Sequence, residues 1–243
     1  ARAGLEVVNL GAPIDVLWLR LSKRAGDPPG SGGRINHGYM LVMLDRGDYW
    51  QCAFVIRKGG YDAIRDRGLA AFRDDVVKIA PFLRDRVDEL AEWDDIRLLT
   101  VAVDRLKRWW RPGLICIGDS AHAMSPIGGV GINLAVQDAV AAANILTGPL
   151  QAGNVSDADL AAVQRRRTLA MRVIQRMQVV MQERVIDRVL GDDKPVHAPW
   201  LLRLFNRIPL LRRIPARLLG LGIRPEHVRT APAAPTQSWP TQS

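Results

Sequence analysis

"GLICIGDSAHAMSPIGGVGINLAVQDAVAAANIL", residues 113–146, decides the fold. Its first part, 113–118, is a short continuous apolar run, the signature of a strand buried on both faces. The run ends at Gly118, so Asp119 stands at a strand's carboxyl end, where ligands bind in open α/β sheets. A carboxylate there is an acceptor suited to hydroxyls such as those of a sugar. A loop holding Pro126 follows, then Gly128, Gly129 and Gly131. From Ile132 to Leu146 the pattern is helical and Ala-rich, with Gly148 and Pro149 as its stop. The first N–H groups of such a helix have no partners inside it, and the dipole adds partial positive charge. Glycines let a ligand approach that backbone without a Cβ in the way. The arrangement suits a flat ligand that gains negative charge along one edge.

Other glycine-rich motifs do not match. A P-loop needs Gly-Lys-Ser/Thr, and none follows. A G-x-G-x-x-G fingerprint needs glycine where Leu134 stands. A nucleophile elbow around Ser120 needs glycine where His122 stands. The plain structural alternative is a strand–turn–helix junction with glycines serving only tight packing.

Outward from this stretch, the 243 residues suit one large domain or two small ones, and 48% of them are apolar. No run approaches the roughly 18 consecutive apolar residues of a membrane span. The start, "ARAGLEVVNL", has no signal-peptide pattern. Cys52 and Cys116 lie in apolar, strand-like runs and read as two buried thiols in a reducing compartment, hence a cytoplasmic protein. Four scattered histidines give no metal-ligand spacing. The net charge is +9, with the excess after residue 164 in "QRRR" and "LLRRIPARLLG". No nucleic-acid motif accompanies it, so it reads as a solvated arginine-rich helix face.

The N-terminal part reads as strands. "VLWLRL" (16–21) precedes the loop "RAGDPPGSGG" (24–33). "YMLVML" (39–44) and "YWQCAFVIR" (49–57) flank "DRGD" (45–48), a short hairpin connection. In the second of these strands Trp50, Cys52, Phe54 and Ile56 share one face. The first is apolar on both faces: one can pack on helices while the other lines an apolar cavity, or both can be plain core. Helical periodicity spans 69–79 and ends near Pro81, and a short helix is expected at about 82–91. Strand returns at 96–106. Ser156 and Asp159 form a capping box for a long helix running to about Leu190, with Gly191 as its stop. Short apolar-basic segments broken by Pro199, Pro209 and Pro215 follow. The tail from residue 230 to 243 has a disordered composition.

The 113–146 stretch resembles the second FAD-binding motif of the flavoprotein aromatic hydroxylases, the p-hydroxybenzoate hydroxylase-like superfamily of FAD-dependent monooxygenases. Gly-Asp, Ala-His, Pro and a Gly-rich turn ending in Gly-x-Asn at a helix start all occur, in order and at family spacing. The resemblance extends over about residues 1–150 and includes the 36–60 hairpin and the "RWWRPG" lead-in. It implies an α/β (α+β) fold: part of a Rossmann-like FAD-binding domain with a mixed β-sheet substrate domain, followed by C-terminal helices. The expected division is 1–110 for the substrate domain, 111–150 for the end of the FAD-binding domain, 151–229 for the helical region and 230–243 for the tail. It implies FAD as cofactor, with Asp119 on the ribityl hydroxyls and Pro126 beside the isoalloxazine ring where oxygen reacts. The backbone at Gly131, Ile132 and Asn133 faces the pyrimidine edge, and Gly118, Gly128 and Gly129 complete the binding set. His122 is expected to stabilise the turn by hydrogen bonding; it and Ser125 receive no chemistry. No metal is implied.

The family binds the ADP half of FAD through an N-terminal G-x-G-x-x-G unit, followed by an Asp-Gly motif. Neither is in this sequence, and "RAGL" (2–5) resembles residues just after the second. The chain therefore resembles the C-terminal part of a hydroxylase, with roughly 150 or more residues, about one domain, required ahead of it. The activity implied is NAD(P)H-dependent hydroxylation, with NADH or NADPH as reductant, of an aromatic or isoprenoid-like small molecule by a flavin C4a-hydroperoxide. The same fold carries flavin reductases and halogenases. A serine hydrolase built on Ser120 and His122 lacks both an elbow and an acid partner. A last alternative is a non-catalytic fragment whose helix 160–190 presents Met171, Met177 and Met181 amid arginines, as a peripheral membrane or partner surface. The plainer expectation is that this stripe packs on its own domain.

Overall fold

The computed structural model describes residues 3–36, 39–189, 217 and 222–229. The order begins β1 (Val7–Asn9), β2 (Ile14–Ser22), β3 (Gly32–Asn36), β4 (Tyr39–Asp45) and β5 (Tyr49–Arg57). Helices α1 (Tyr61–Asp66) and α2 (Leu69–Ile79) follow, then β6 (Arg97–Leu99), β7 (Asp104–Leu106), β8 (Trp110–Arg111) and β9 (Leu114–Ile115). Two long helices come next, α3 (Gly131–Gln151) and α4 (Asp157–Val189).

Five strands form one sheet in the order β3-β4-β5-β2-β6, and every pairing in it is antiparallel. The expected α/β class holds, as antiparallel sheets with C-terminal helices; no parallel pair occurs among the described strands. Because side chains alternate along a strand, Trp50, Cys52, Phe54 and Ile56 all enter one core with Leu17, Leu19, Leu21, Leu41 and Met43. Helix α2 covers that face. Its apolar residues recur at helical spacing, so Phe72, Val76 and Ile79 point together into the sheet. The Phe54 and Phe72 rings lie 5.1 Å apart. Each large side chain buried in this layer contributes roughly 1.5–3 kcal/mol. The opposite face is also apolar: Val16, Ala53 and Val55 are buried with Ile14 and Val101, and Trp18, Met40 and Val42 are half-buried around them.

Four expected elements differ from what forms. The helix at 82–91 is two separate 3-10 turns, Pro81–Leu83 and Val87–Glu89. Between them Arg86 is buried, and its guanidinium bonds Asp27 through both oxygens and the carbonyls of Ser22 and Phe82. The distant partners, Asp27 and Ser22, outweigh local helical preference. The strand at 96–106 divides into β6 and β7, which pair in different sheets. The break falls where the Val101 N–H bonds the Asp15 carboxylate at 3.0 Å and its carbonyl takes Lys58 Nζ at 2.6 Å. Side chains of Asp15, buried, and Lys58, exposed, have replaced the ladder there.

The 113–118 strand shortens to β9, paired only with β8, and its residues 114–117 are half-buried. Helix α3 runs past Gly148 and Pro149. Proline in the last turn forfeits one intrahelical bond, and its own carbonyl still accepts from Asn154 N at 3.0 Å.

The capping box forms with aspartate at its third position: Asp159 Oδ2 accepts from Ser156 N at 2.9 Å, and Asp159 N donates to Ser156 Oγ at 3.3 Å. Helices α3 and α4 then pack antiparallel. Leu134 meets Ala170 and Ile174 at one end, and Leu146 meets Leu160 and Val163 at the other. Met171 is buried with Leu5, Leu106 and Trp109, and Met177 packs against the neighbouring cluster of Val130, Leu134, Ala170 and Ile174, so this part of the methionine stripe is internal packing. Cys52 is buried, which pushes its thiol up to about 12. Cys116, just past the end of β9, is only half-buried, contrary to expectation. Gly191, the segments around Pro199, Pro209 and Pro215, and the tail 230–243 lie outside the described residues.

Candidate functional site

The chain reverses sharply after β9. Gly118 has φ +57°, a left-handed conformation that L side chains avoid, and a Cβ there would stand 2.9 Å from the Ala135 Cβ. Glycine is needed twice over, for the dihedral and for the close approach of the turn to α3. A 3-10 turn, Gly118–Ser120, follows, tied by Ser120 Oγ donating to the Ile117 carbonyl at 2.7 Å. Asp119 is exposed at its crest, and among the described residues its carboxylate accepts no hydrogen bond.

The second half of the loop turns again at Pro126, with Gly128 and Gly129 at φ +81° and +62°. Helix α3 then begins at Gly131, and no side chain caps it. A Cβ on Gly131 would lie 4.0 Å from Asp119 Oδ1 and 3.5 Å from the Met124 Cβ. Two parts of the motif twelve residues apart are thus brought side by side: an unpaired carboxylate and a bare helix start. Gly129 has nothing within 4 Å of where a Cβ would stand. Ile132 is 72% exposed and Asn133 half-buried. Helix N–H groups and their partial positive charge are available to an electron-rich edge, and the carboxylate beside them is available to hydroxyl donors. The Cβ-free approach and the missing cap fit the ribityl chain and ring edge of a flavin. Nothing among the described residues resembles a cradle for its pyrophosphate.

Behind the turn lies a buried ionic network absent from the expected site residues. His122 Nε2 lies 2.6 Å from Asp138 Oδ2, and both side chains are buried. The same Oδ2 accepts the Gly118 N–H at 3.1 Å, and Oδ1 accepts Arg167 Nε at 2.8 Å. Arg167, fully buried on α4, also lies 3.7 Å from Glu226, which pairs with Arg166. Burial works to raise the Asp138 pKa, but the hydrogen bonds from His122, Arg167 and Gly118 outweigh it and hold the carboxyl below its ordinary value. The His122 ring packs 4.9 Å from Trp109. His122 therefore ties the turn to α3, as expected, through a carboxylate not anticipated.

The arginine-rich helix face is partly misjudged: Arg167 is core. The available signal was Asp138, a single charge inside the Ala-rich run "AVQDAV". A second signal was the spacing of Gln175, Gln178 and Gln182, interleaved with the methionines and buried against this loop.

Fold and site together define a cofactor-binding α/β protein in which a strand, a glycine turn and an uncapped helix meet a solvent-facing carboxylate. A family model described as "FAD binding domain" matches residues 31–177, and the chain belongs to this family, within the FAD-dependent aromatic hydroxylase superfamily. It is 33% identical to 6-methylpretetramide 4-monooxygenase of Streptomyces rimosus over 214 residues, 84% of this chain and 48% of that protein. It is 34% identical to kynurenine 3-monooxygenase of Stenotrophomonas maltophilia over 231 residues, 87% of this chain and 48% of that one. The fold is similar to that of P. aeruginosa PqsL, solved with 2-aminobenzoylacetate: TM-score 0.62 at 18% identity, over 77% of this chain and 52% of the other. The chain thus spans about half the length of these relatives.

Proposed function

We propose that the chain is the C-terminal part of an FAD-dependent monooxygenase that hydroxylates an aromatic or related apolar small molecule, with NADH or NADPH as reductant. One observation carries this reading: the Asp119 carboxylate, unpaired among the described residues, beside the uncapped, Cβ-free start of α3. Bound FAD would accept a hydride from the nicotinamide and activate oxygen for insertion into the substrate. Asp119 would accept hydrogen bonds from the ribityl hydroxyls. Backbone at Gly131, Ile132 and Asn133 would face the pyrimidine edge, where the helix start stabilises negative charge. Pro126, with Gly128 and Gly129, would border the ring, and Gly118 would aim Asp119.

Residues 1–110 form the substrate domain in this reading. The apolar sheet face bearing Trp18, Met40, Val42 and Val55 would roof the substrate and exclude water. Residues 111–150 end the FAD-binding domain, and 151–229 form the helical region. The substrate class is drawn from the relatives' names and from the apolar character of that face. A preceding domain would hold the ADP half. Ile132, Val136 and Leu150, all exposed on α3, support its docking there. No helix among the described residues is long and apolar enough to cross a membrane. We place the protein in the cytoplasm, with any membrane contact peripheral.

The test uses the full-length protein. It should purify with FAD and oxidise NAD(P)H faster when its aromatic substrate is added. Asp119→Ala should retain the fold and lose flavin. A full-length protein that takes up no FAD on reconstitution would overturn the reading.

A further inference from the structure

The inward face of α4 carries amides where packing alone calls for apolar groups. Gln175, Gln178 and Gln182 are each 0% exposed, and their spacing of three and four residues places them on one side of the helix. Burying an amide is unfavourable unless its donors find partners, and here the donors converge on one loop. Gln175 Nε2 reaches the Asp104 carbonyl at 2.8 Å and the Ala123 carbonyl at 3.3 Å. Gln178 Nε2 donates to the Ser125 carbonyl at 3.0 Å, and Gln182 Nε2 to the Ser125 hydroxyl.

That loop, residues 122–125, belongs to no helix or strand. It joins the turn bearing Asp119 to the turn bearing Pro126, Gly128 and Gly129. Ser125 is the last residue before Pro126, which has no N–H with which to secure itself. Two amide donors on one serine therefore set the point from which the glycine turn departs. Helix α4 is itself fixed to α3 by Arg167 and Asp138, so both ends of the 118–131 segment are referred to the same rigid pair of helices.

We propose that Gln178 and Gln182 are positioning residues: by holding Ser125 to α4 they set the placement of Pro126 and the glycine turn against the flavin. This rests on the FAD reading above.

The experiment compares full-length Q178M/Q182M with wild type and with Q164M. Methionine keeps the length and removes the donor. Gln164 lies on the same helix and makes comparable main-chain bonds, to Trp109 N at 3.0 Å and the Lys107 carbonyl at 2.9 Å, away from Pro126 in sequence. FAD titration into apoprotein, the absorption bands of bound flavin, its midpoint potential and the melting temperature are measured for each. Q178M/Q182M should bind FAD roughly tenfold more weakly and shift both bands and potential. Q164M should lower the melting temperature but leave affinity within about twofold and the spectrum unmoved. Should the double variant not fold, Q182M, which loses one bond, carries the same comparison. Unchanged affinity, bands and potential in the folded glutamine variants, or equal changes in Q164M, overturn the proposal. A wild-type protein that binds no FAD sinks the site reading and this inference with it.

Discussion

Asp138 joins three parts of the molecule, since one buried side chain accepts from a loop amide, an imidazole and a guanidinium. Removing it leaves Arg167 charged and buried without its main partner. Asp138→Ala should therefore cost about 3–5 kcal/mol, read as a lowered denaturant midpoint with an unchanged slope. Replacing Asp138 and Arg167 together by leucine should cost markedly less than the sum of the single changes, because no uncompensated charge remains. Gly118 makes a second residue-scale prediction. Alanine there meets both a left-handed φ and the Ala135 Cβ at 2.9 Å, while Gly30→Ala meets a positive φ alone, with nothing within 4 Å. Gly118→Ala should destabilise by about 2–4 kcal/mol against about 1 for Gly30→Ala, measured by thermal unfolding.

Among the elements, α3 has two jobs separable by substitution. Its buried side, Leu134, Ala141 and Leu146, packs the molecule; its start is left bare. The Cβ that valine adds at Gly131 stands 3.5 Å from the Met124 Cβ, ordinary contact, at a position outside the left-handed φ range. Gly131→Val should change the melting temperature little and weaken FAD uptake roughly tenfold or more, because its branches occupy the approach to the helix N–H groups. Equal FAD retention in Gly131→Val and wild type would make the turn purely structural. The 82–91 segment shows the opposite balance. Its local pattern favours helix, but the buried Arg86–Asp27 pair holds it in two short turns.

For the whole molecule, three carboxylates with buried side chains among the described residues, Asp15, Asp27 and Asp138, link stability to acid. At Asp27 the Arg86 guanidinium is the main cause of a pKa well below the carboxylate range. At Asp15 burial opposes but Gly59, Lys58 and Val101 prevail, and Asp138 is lowered as described above. Each folded value lies below its unfolded one near 3.8. Their contribution is thus fully present above the unfolded value and is lost as pH falls through the folded values. Denaturant midpoints should hold steady from about pH 7 to 5 and decline below about pH 4, and Asp27→Asn should flatten that decline. At the same scale, residues 1–243 expressed alone should purify colourless. The exposed apolar side of α3 should bind a hydrophobic dye, and a supplied N-terminal domain should reduce that binding and restore flavin. A yellow, NAD(P)H-oxidising preparation of this chain alone would show that the site needs less than proposed.

Local chemistry made much of this legible in one dimension. The β4–β5 hairpin, the shared face of Trp50, Cys52, Phe54 and Ile56, α2 and the Ser156–Asp159 cap follow from period-two and period-3.6 patterns and from hydrogen bonds between near neighbours. The Gly118–Asn133 motif was visible because its glycines and carboxylate are read by spacing. What tertiary structure alone decided involves partners far apart in the chain. Asp15 and Lys58 interrupt the expected 96–106 strand at Val101, Arg86 reaches Asp27, and Arg167 crosses to Asp138. Gln178 and Gln182 reach Ser125 from more than fifty residues away. A buried polar group must find its hydrogen bonds somewhere. Periodicity shows which way such a side chain points, but only the packed molecule supplies the group it meets.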